Sequence, residues 1–560
     1  MKKLILFTLI LFVGTSFVHS QSEQAWVFFN KKEKVYESIY NPRTILTPKA
    51  IKRKYKNYVY IDERDVPVSE GFIKQIKESP GVKVLAKSKW FNCVFVEGGI
   101  ENIRDLTALD FVDRVDFADN SLDNGGAKVS AKYQKSTTRK GQSKFERLVN
   151  FDYGKGTQQI QQINGDFLHR QSFTGKGMTI AVIDVGFQGV DTAPAFQKLR
   201  NEGRLLNGYD FVRKTDNIFT RDQHGTRVLS TMASNLTDSI IGTAPDASYH
   251  LFITDDPDTE GPLEEALWVE AAERADSLGV DIINASTGYG GPSFPYDNPA
   301  YQYTSADMDG KTTFIARGAN IANEKGILVV AAVGNDGHLD WKIISSSPAD
   351  APGVLSVGAV DKSGEYAFFS STGPTPDGRI KPDVMAAGYK MSTVLSDGGI
   401  RETSSGTSYA SPIIAGAAAC LWQALPFCNN EDIMQLIRES ASQYTNPNDE
   451  MGYGIPDFEK ILRWFGYGWD DYYQKINKEG GSISAEIRTY PNPVVDELFF
   501  DLPDYKLPTQ VSIYNAERKL IKSKNLKNSN SISVKELPKG LYILDIISGN
   551  KRQTNMVLKK

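Results

Sequence analysis

The chain has 560 residues, which is too long for one ordinary hydrophobic core and predicts several domains. Hydrophobic residues make up 40% and charged residues 24% of the sequence, a globular composition that does not favour disorder. The net charge of −4 is unevenly spread, since residues 151–486 carry −19, residues 21–150 carry +7 and residues 487–560 carry +6. The acidic segment would repel phosphate backbones, so the sequence argues against a nucleic-acid substrate.

Residues 1–20 indicate export. Two lysines precede an apolar run over residues 4–13, and small and polar residues follow up to Ser20. This order is typical of a secretory signal peptide, and the apolar run is too short to anchor the chain in a bilayer. We therefore expect a protein that is secreted or held at the cell surface.

Residues 21–118 have the pattern of a small α+β unit. Helices are predicted over 69–77 and 100–109, and strands over 26–29, 82–86, 91–96 and 111–117. The resulting β-α-β-β-α-β order predicts a ferredoxin-like fold. Residues 119–150, rich in Asn, Gly, Ser, Lys and Thr, are interpreted as an exposed linker of the kind that proteases cut.

Residues 151–466 alternate short apolar runs with helical stretches. Strands are predicted over 178–183, 249–252, 280–285, 327–332 and 354–357, and helices over 263–278, 313–325 and 408–423. Nearly continuous apolar runs are typical of parallel strands that are buried on both faces. The predicted fold class is therefore α/β, a three-layer domain around a parallel sheet.

A polar linker over 467–486 precedes a small all-β module over 487–560, for which we expect a β-sandwich. The chain has only three cysteines, which excludes a disulfide scaffold. Cys420 and Cys428 could pair, or Cys420 could be a buried free thiol, and the sequence leaves both possibilities open.

Three polar residues occupy positions suited to catalysis. Asp184 follows the predicted strand 178–183, and α/β sheets place functional groups at the carboxyl ends of strands. His224, beside Gly225, begins a predicted helix and is a reasonable base. Ser408 lies in the first turn of a predicted buried helix, where free N–H groups favour an oxyanion. Each has a structural alternative: a turn cap, a loop histidine and an N-cap serine.

The order Asp, His, Ser along the chain is the subtilisin order. The sequence contains no Gly-x-Ser-x-Gly elbow, which argues against a lipase or esterase, and no His-Glu-x-x-His zinc motif. Residues 178–186, 222–233 and 404–417 closely resemble the three active-site motifs of the subtilisin-like serine proteases. The resemblance covers roughly 160–460 and implies a subtilisin-like fold with Asp184, His224 and Ser408 as the catalytic triad.

The resemblance also implies roles for two further segments. Residues 331–337 are similar to the family's oxyanion segment, which assigns the donor to the Asn335 amide, although a turn with Asp336 is the local alternative. Residues 284–288 are similar to the segment that pairs with the substrate backbone, which assigns substrate binding to Ser286, Thr287 and Gly288. Arg227 and Tyr409 depart from the family pattern without replacing a triad residue, so we expect them to affect only the shape of the pocket.

No redox cofactor is implied. Residues 290–309 resemble an insertion near the cleft, and Asp297, Asp307 and Asp309 could hold calcium as a structural ion, since many relatives bind it. A solvated acidic loop is the alternative, so the metal stays unknown.

Both flanking modules resemble parts of known precursors. Residues 21–118 are similar in layout to subtilase pro-regions, which assist folding and act as intramolecular inhibitors, with cleavage expected between 119 and 165; a generic accessory domain is the alternative. Residues 490–496 and 537–542 resemble the C-terminal sorting domains that Bacteroidetes use with the type IX secretion machinery. A substrate-binding β-sandwich is the alternative for this tail.

The sequence therefore favours a secreted serine endopeptidase, made as a precursor, that hydrolyses protein or peptide substrates through an acyl-enzyme. A catalytically silent binding or adhesion protein on the same fold is the alternative, and a secreted esterase is a third class. The three triad residues and Asn335 are all present, which favours the endopeptidase. Cleavage specificity, processing sites and oligomeric state are left open.

Overall fold

A computed structural model of the chain describes residues 22–123, 151–293, 295–341, 343–465, 467, 487–490, 494–502, 508–515, 519–526, 530–548 and 551–559. The predicted signal peptide and most of the predicted linkers 119–150 and 467–486 lie outside the described residues. None of the helices in the described ranges is both long enough and apolar enough to cross a membrane.

A seven-stranded parallel sheet forms the centre of the molecule, in the order β13-β12-β11-β10-β5-β9-β6. Its strands are β5 (Thr179–Asp184), β6 (Tyr209–Asp210), β9 (Ser248–Ile253), β10 (Ile282–Ala285), β11 (Leu328–Ala332), β12 (Val354–Val360) and β13 (Val384–Ala387). Every residue of β5 is buried, and Val182 packs into one hydrophobic core while Ile183 packs into the other. Both faces of the sheet are therefore covered, as the continuous apolar runs predict.

Helices cover both faces. One core joins the sheet to α8 (His224–Ala233) and α11 (Thr407–Ala424), and the other joins it to α9 (Pro262–Leu278) and α10 (Phe314–Glu324). This arrangement confirms the predicted three-layer α/β fold. The remaining elements of this part are α5 (Thr157–Gln161), α6 (Gly165–Arg170), α7 (Gln197–Asn201), α12 (Asn430–Ser440), α13 (Phe458–Trp464), and the pairs β7 (Asn235–Leu236) with β8 (Ile240–Ile241) and β14 (Met391–Val394) with β15 (Ile400–Ser404).

The topology of the sheet determines where a site can form. Strands β9 and β6 lie on one side of β5, while β10, β11, β12 and β13 follow on the other. The crevice outside the carboxyl ends of the strands at such a switch point is where open α/β sheets bind ligands. Asp184, the last residue of β5, lies at this point.

The N-terminal unit contains a four-stranded antiparallel sheet in the order β2-β3-β1-β4. Its elements are β1 (Ser22–Phe29), α1 (Val35–Tyr40), α2 (Pro48–Lys56), α3 (Glu70–Glu78), β2 (Val82–Ser88), β3 (Cys93–Gly99), α4 (Ile100–Asp105) and β4 (Val112–Phe117). This is the strand arrangement of a ferredoxin-like fold. The sequence analysis gave no element between β1 and α3, where α1 and α2 lie.

The N-terminal unit packs on α9 and α10. Trp26 of β1 stacks on Phe314 of α10, with ring centroids 5.3 Å apart. The Glu273 carboxylate of α9 accepts hydrogen bonds from Ser88 Oγ at 2.5 Å and from the N–H groups of Lys89 and Trp90, each at 2.9 Å. The unit therefore covers the face of these helices that lies away from the sheet.

A second contact is a cluster of buried charges beneath α2. Lys54 Nζ lies 2.9 Å from carboxylate oxygens of both Asp65 and Asp276, and Lys325 Nζ lies 2.9 Å from Asp65. Arg53 also pairs with Asp276. Although burial opposes ionisation, Lys54 and Arg53 hold the pKa of Asp276 far below its usual range. These ion pairs therefore join the N-terminal unit to the central domain.

We expect Lys54→Met to destabilise the docked N-terminal unit by about 3–5 kcal/mol, because it leaves two buried carboxylates without one of their cations. Hydrogen exchange of the β1 amides measures this change. Lys31→Met is the control, since Lys31 forms an exposed pair with Asp110 that contributes about 0–1 kcal/mol. Equal protection of the β1 amides in both variants would contradict the interpretation.

The C-terminal module consists of two antiparallel sheets around one apolar core, with strand orders β16-β17-β20 and β19-β18-β21-β22. This confirms the predicted all-β fold. The strands are β16 (Arg488–Tyr490), β17 (Glu497–Asp501), β18 (Thr509–Tyr514), β19 (Leu520–Leu526), β20 (Ser531–Ser533), β21 (Gly540–Ser548) and β22 (Lys551–Lys559). All three cysteines of the chain are buried free thiols, so Cys420 and Cys428 are not paired.

Candidate active site

Asp184 and His224 form a hydrogen-bonded pair at the carboxyl edge of the sheet. Asp184 is fully buried, and its Oδ1 atom accepts from His224 Nδ1 at 2.7 Å and from the Val185 N–H at 2.9 Å. His224 is the first residue of α8, and Asp222 Oδ1 accepts from its backbone N–H at 2.5 Å. This hydrogen bond satisfies a backbone N–H of the first turn and holds His224 beside the end of β5.

Gly225 permits this close approach. A Cβ atom added to Gly225 would lie 2.5 Å from the Gly186 carbonyl oxygen, which is closer than real Cβ contacts. The start of α8 therefore packs directly against the backbone that follows Asp184. This packing is the physical reason for a glycine beside His224.

The pKa of His224 is raised above its ordinary value. Burial lowers this pKa, but the charge of Asp184 and its hydrogen bond outweigh burial, with a further increase from Asp222 and an opposing effect of Arg227. The imidazole can therefore accept a proton and is stabilised as an imidazolium. That is the behaviour of a general base held by a carboxylate.

Ser408 lies in the first turn of α11 and is buried. The helix follows Gly406, whose φ of 150° is one that other residues rarely adopt. The Ser408 carbonyl oxygen accepts a hydrogen bond from Ser286 Oγ at 2.9 Å. Within the described residues no hydrogen bond joins Ser408 Oγ to His224, although α8 and α11 meet through the Tyr409 ring, 5.8 Å from the His224 ring.

The Asn335 side chain is hydrogen-bonded to the start of α11. Its Oδ1 atom accepts from the Thr407 N–H at 2.9 Å and from Thr407 Oγ1 at 3.1 Å. The preceding Gly334 adopts a φ of 104°, which turns the chain after β11. Thr407 directly precedes Ser408, and within the described residues no hydrogen bond uses the Asn335 Nδ2 atom.

Residues 286–288 form a segment with open backbone groups. Across the described ranges, no backbone hydrogen bond uses the N–H or C=O groups of Ser286, Thr287 or Gly288. A Cβ atom on Gly288 would lie 1.8 Å from Ser346 Oγ, so close packing requires glycine there. The segment can therefore pair with an extended peptide through its backbone.

The sequence analysis missed the role of Asn284. Its Nδ2 donates to Ser286 Oγ at 2.9 Å, and its Oδ1 accepts from Ser411 Oγ at 2.8 Å. Asn284 thus connects the end of β10 to the first turn of α11. An Asn inside an apolar strand was the available signal, since a buried amide needs polar partners.

Asp255, which follows β9, was also missed. Its carboxyl group accepts from Thr254 Oγ1 at 3.0 Å and from the Tyr289 hydroxyl. Burial and the negative charge of Asp184 raise the pKa of Asp255 to about 6. Burial and the charge of Asp255 likewise raise the pKa of Glu264 to about 10. Asp255 and Glu264 therefore ionise at higher pH than ordinary carboxyl groups do.

The acidic residues of the 290–309 insertion accept hydrogen bonds from backbone N–H groups. Asp307 Oδ2 accepts from the Thr304 N–H at 2.8 Å, and Asp309 Oδ1 accepts from the Lys311 and Thr312 N–H groups at 2.8 Å. Asp297 accepts from the Glu260 N–H at 3.2 Å. In the part of the chain that the structure describes, no group of three His, Cys, Asp or Glu residues could hold a metal ion.

Three families match successive parts of the chain. Residues 24–139 match the Peptidase S8 propeptide domain of Bacteroidota, residues 175–454 match the Subtilase family, and residues 488–560 match a secretion system C-terminal sorting domain. The second match covers half of the chain, and the chain belongs to the subtilase family. The sorting domain assigns it to secreted or cell-surface proteins.

Several known proteins are similar to parts of the chain. The chain is 31% identical over 289 residues to subtilisin E of Bacillus subtilis (strain 168), covering 51% of this chain and 66% of that protein. It is 30% identical over 298 residues to a subtilisin of Bacillus pumilus, covering 53% and 94% respectively. Among solved structures, the MycP3 protease from the type VII (ESX-3) secretion system matches with a TM-score of 0.45 and 23% identity, covering 57% and 91%.

We expect Asp184→Asn to lower the pKa of His224, because Asp184 is the main group that raises it. NMR titration of the imidazole measures the shift. Asp222→Asn is the matched control, and a smaller decrease is expected because Asp222 contributes less than Asp184. An unchanged His224 pKa in Asp184→Asn would show that the pair does not exist in solution.

Proposed function

We propose that the chain is a secreted serine endopeptidase in which Ser408 is the nucleophile, His224 the general base and acid, and Asp184 the residue that orients and stabilises His224. The observation that carries the proposal is the 2.7 Å hydrogen bond between His224 Nδ1 and the buried Asp184, at the sheet edge where α11 presents Ser408. A hydrogen bond between base and nucleophile often tightens only when substrate binds.

The mechanism is an acyl transfer in two halves. Ser408 Oγ attacks the peptide carbonyl carbon while its proton passes to His224 Nε2, and the tetrahedral intermediate then expels the amine as His224 returns the proton to nitrogen. Water attacks the acyl-enzyme while it gives a proton to His224. The second tetrahedral intermediate then breaks its bond to Ser408 Oγ, which takes the proton back from His224 as the acid is released. The Asp184 carboxylate stabilises the imidazolium in both halves.

The developing oxyanion lies between two sets of donors. The Asn335 amide is one, since its oxygen is held by Thr407 and its N–H groups are left for the ligand. The backbone N–H of Ser408, at the positive end of α11, is the other. These two groups stabilise the negative charge of the oxyanion, and the reaction needs no redox cofactor.

The substrate is an extended protein or peptide segment. The open backbone of residues 286–288 can add it as a strand, which fixes the scissile bond beside Ser408. The charge of −19 on residues 151–486 argues against nucleic acid as a partner.

The two flanking modules are proposed to serve inhibition and secretion. Residues 21–118 are proposed to inhibit the central domain until cleavage between 119 and 165, which is supported by the propeptide match and by the packing on α9 and α10. The C-terminal module is proposed to engage the type IX secretion machinery, which carries the chain across the outer membrane.

We expect the wild type to shed its pro-region and to digest casein, and Ser408→Ala to do neither, with a fall in kcat of about 10⁶-fold. Gel electrophoresis of the purified proteins and release of casein peptides measure the two effects. Equal processing and digestion by both proteins would contradict the proposal. Ester turnover without peptide turnover by the wild type would favour an esterase instead, and neither activity would favour a silent binding protein.

We expect Asn335→Ala to reduce kcat by about 10²–10³-fold with little change in KM, because the amide acts mainly in the transition state. Steady-state kinetics on a peptide anilide measures the effect. Asn320→Ala is the matched control, since Asn320 also holds two segments together but lies elsewhere, contacting Gly310 and Gly353, and should keep the wild-type kcat. A loss confined to KM in Asn335→Ala would remove the oxyanion role.

A further inference from the structure

Arg227 and Tyr409 meet at the point where α8 and α11 cross. The Arg227 guanidinium carbon lies 4.8 Å from the centroid of the Tyr409 ring, and that ring lies 5.8 Å from the His224 ring at an interplanar angle of 40°. Arg227 is one helical turn after His224, and Tyr409 directly follows Ser408. The three side chains therefore connect the helix that carries the base with the helix that carries the nucleophile.

The guanidinium group is itself held in place. Arg227 Nη2 donates to Ser404 Oγ at 2.9 Å, and Ser404 Oγ lies 2.6 Å from Thr393 Oγ1. Ser404 belongs to β15 and Thr393 to β14, so this hairpin holds the guanidinium group. Tyr409 is buried, with 3% of its surface exposed, so its ring has little freedom to leave the stack.

We propose that Arg227 and Tyr409 are positioning residues that together set the orientation of the His224 imidazole toward Ser408. This inference rests on the proposed function and adds two residues that the triad alone does not require. A planar guanidinium stacks on an aromatic ring and donates in a fixed direction at the same time, which an ammonium group cannot do. The sequence analysis assigned both residues to pocket shape alone, whereas the structure places the Tyr409 ring against His224.

Electrostatics gives the pair a second effect. Four charged groups face His224. Asp184 and Asp222 raise its pKa, and Arg227 lowers it. The fourth is the carboxyl group of Asp255. Loss of the Arg227 charge is therefore expected to raise the pKa of His224. Burial raises the pKa of Tyr409 to about 12, so the tyrosine stays neutral while His224 titrates.

The test uses the full chain with Arg227→Lys, Arg227→Met, Tyr409→Phe and Tyr409→Leu. We expect Tyr409→Phe to resemble the wild type, because the ring is kept. Tyr409→Leu and both arginine variants should lose about 10- to 100-fold in kcat with KM nearly unchanged, since the base is misplaced while binding is retained. Arg227→Met should also move the acid limb of the pH profile to higher pH, and Arg227→Lys should leave the limb in place.

Arg274→Met is the matched control, because its guanidinium carbon lies 4.5 Å from the centroid of the Tyr209 ring, in a similar pair away from the site. It should keep the wild-type kcat and pH profile. Wild-type kcat in both Arg227→Lys and Tyr409→Leu would overturn the inference. If Arg227→Met does not fold, Arg227→Lys decides, since a loss of kcat at unchanged acid limb supports the positioning role.

A readout independent of turnover separates this inference from the proposed function. NMR titration of His224 in the Ser408→Ala chain, with and without Arg227→Met, should show a higher pKa in the double variant and a changed ring environment. If the wild type hydrolyses no peptide but the His224 signals respond in this way, the proposed function fails and the contact stands. If the His224 signals do not respond, the inference fails whatever the activity.

Discussion

The Asp184 carboxylate is buried at the carboxyl end of β5 and accepts hydrogen bonds from His224 Nδ1 and from the Val185 N–H. A buried charge is costly unless it is paired and hydrogen-bonded, so the position of His224 against the sheet is part of what makes this carboxylate tolerable. Within the described residues Asp184 Oδ2 has no hydrogen-bond partner. An imidazolium stabilises the buried carboxylate by its charge as well as by the hydrogen bond, and base catalysis requires the imidazole to become charged.

The nucleophile side of the site depends on polar links between strand ends and α11. Asn335 beyond β11 holds Thr407, and Ser286 beyond β10 holds the carbonyl of Ser408. These links come from loops that follow parallel strands, so the sheet fixes the first turn of the helix from two neighbouring positions. The N-terminal unit contacts α9 and α10, which lie on the other side of the sheet from α8 and α11. The N-terminal unit also reaches the far end of α11, where Lys56 Nζ lies 5.6 Å from the centroid of the Trp422 ring.

The order Asp184, His224, Ser408 and the apolar strands could be predicted because each depends on local sequence. The α2 helix could not, since its buried face includes the charged residues Arg53 and Lys54, which local patterning assigns to solvent. Asn284 could not be assigned either, because its partner Ser411 lies 127 residues away in the chain. The same holds for Tyr409, which follows the serine in sequence but acts on the histidine across two helices. Roles that depend on tertiary contacts needed the structure.

The central claim is that a buried acid, an imidazole and a serine hydroxyl act as one unit. Labelling with a fluorophosphonate, followed by mass spectrometry of the digested chain, tests this most directly. The account predicts a covalent adduct on Ser408 in the wild type and no adduct at this residue in His224→Ala. Equal labelling of Ser408 without His224, or an adduct on another residue in the wild type, would contradict it.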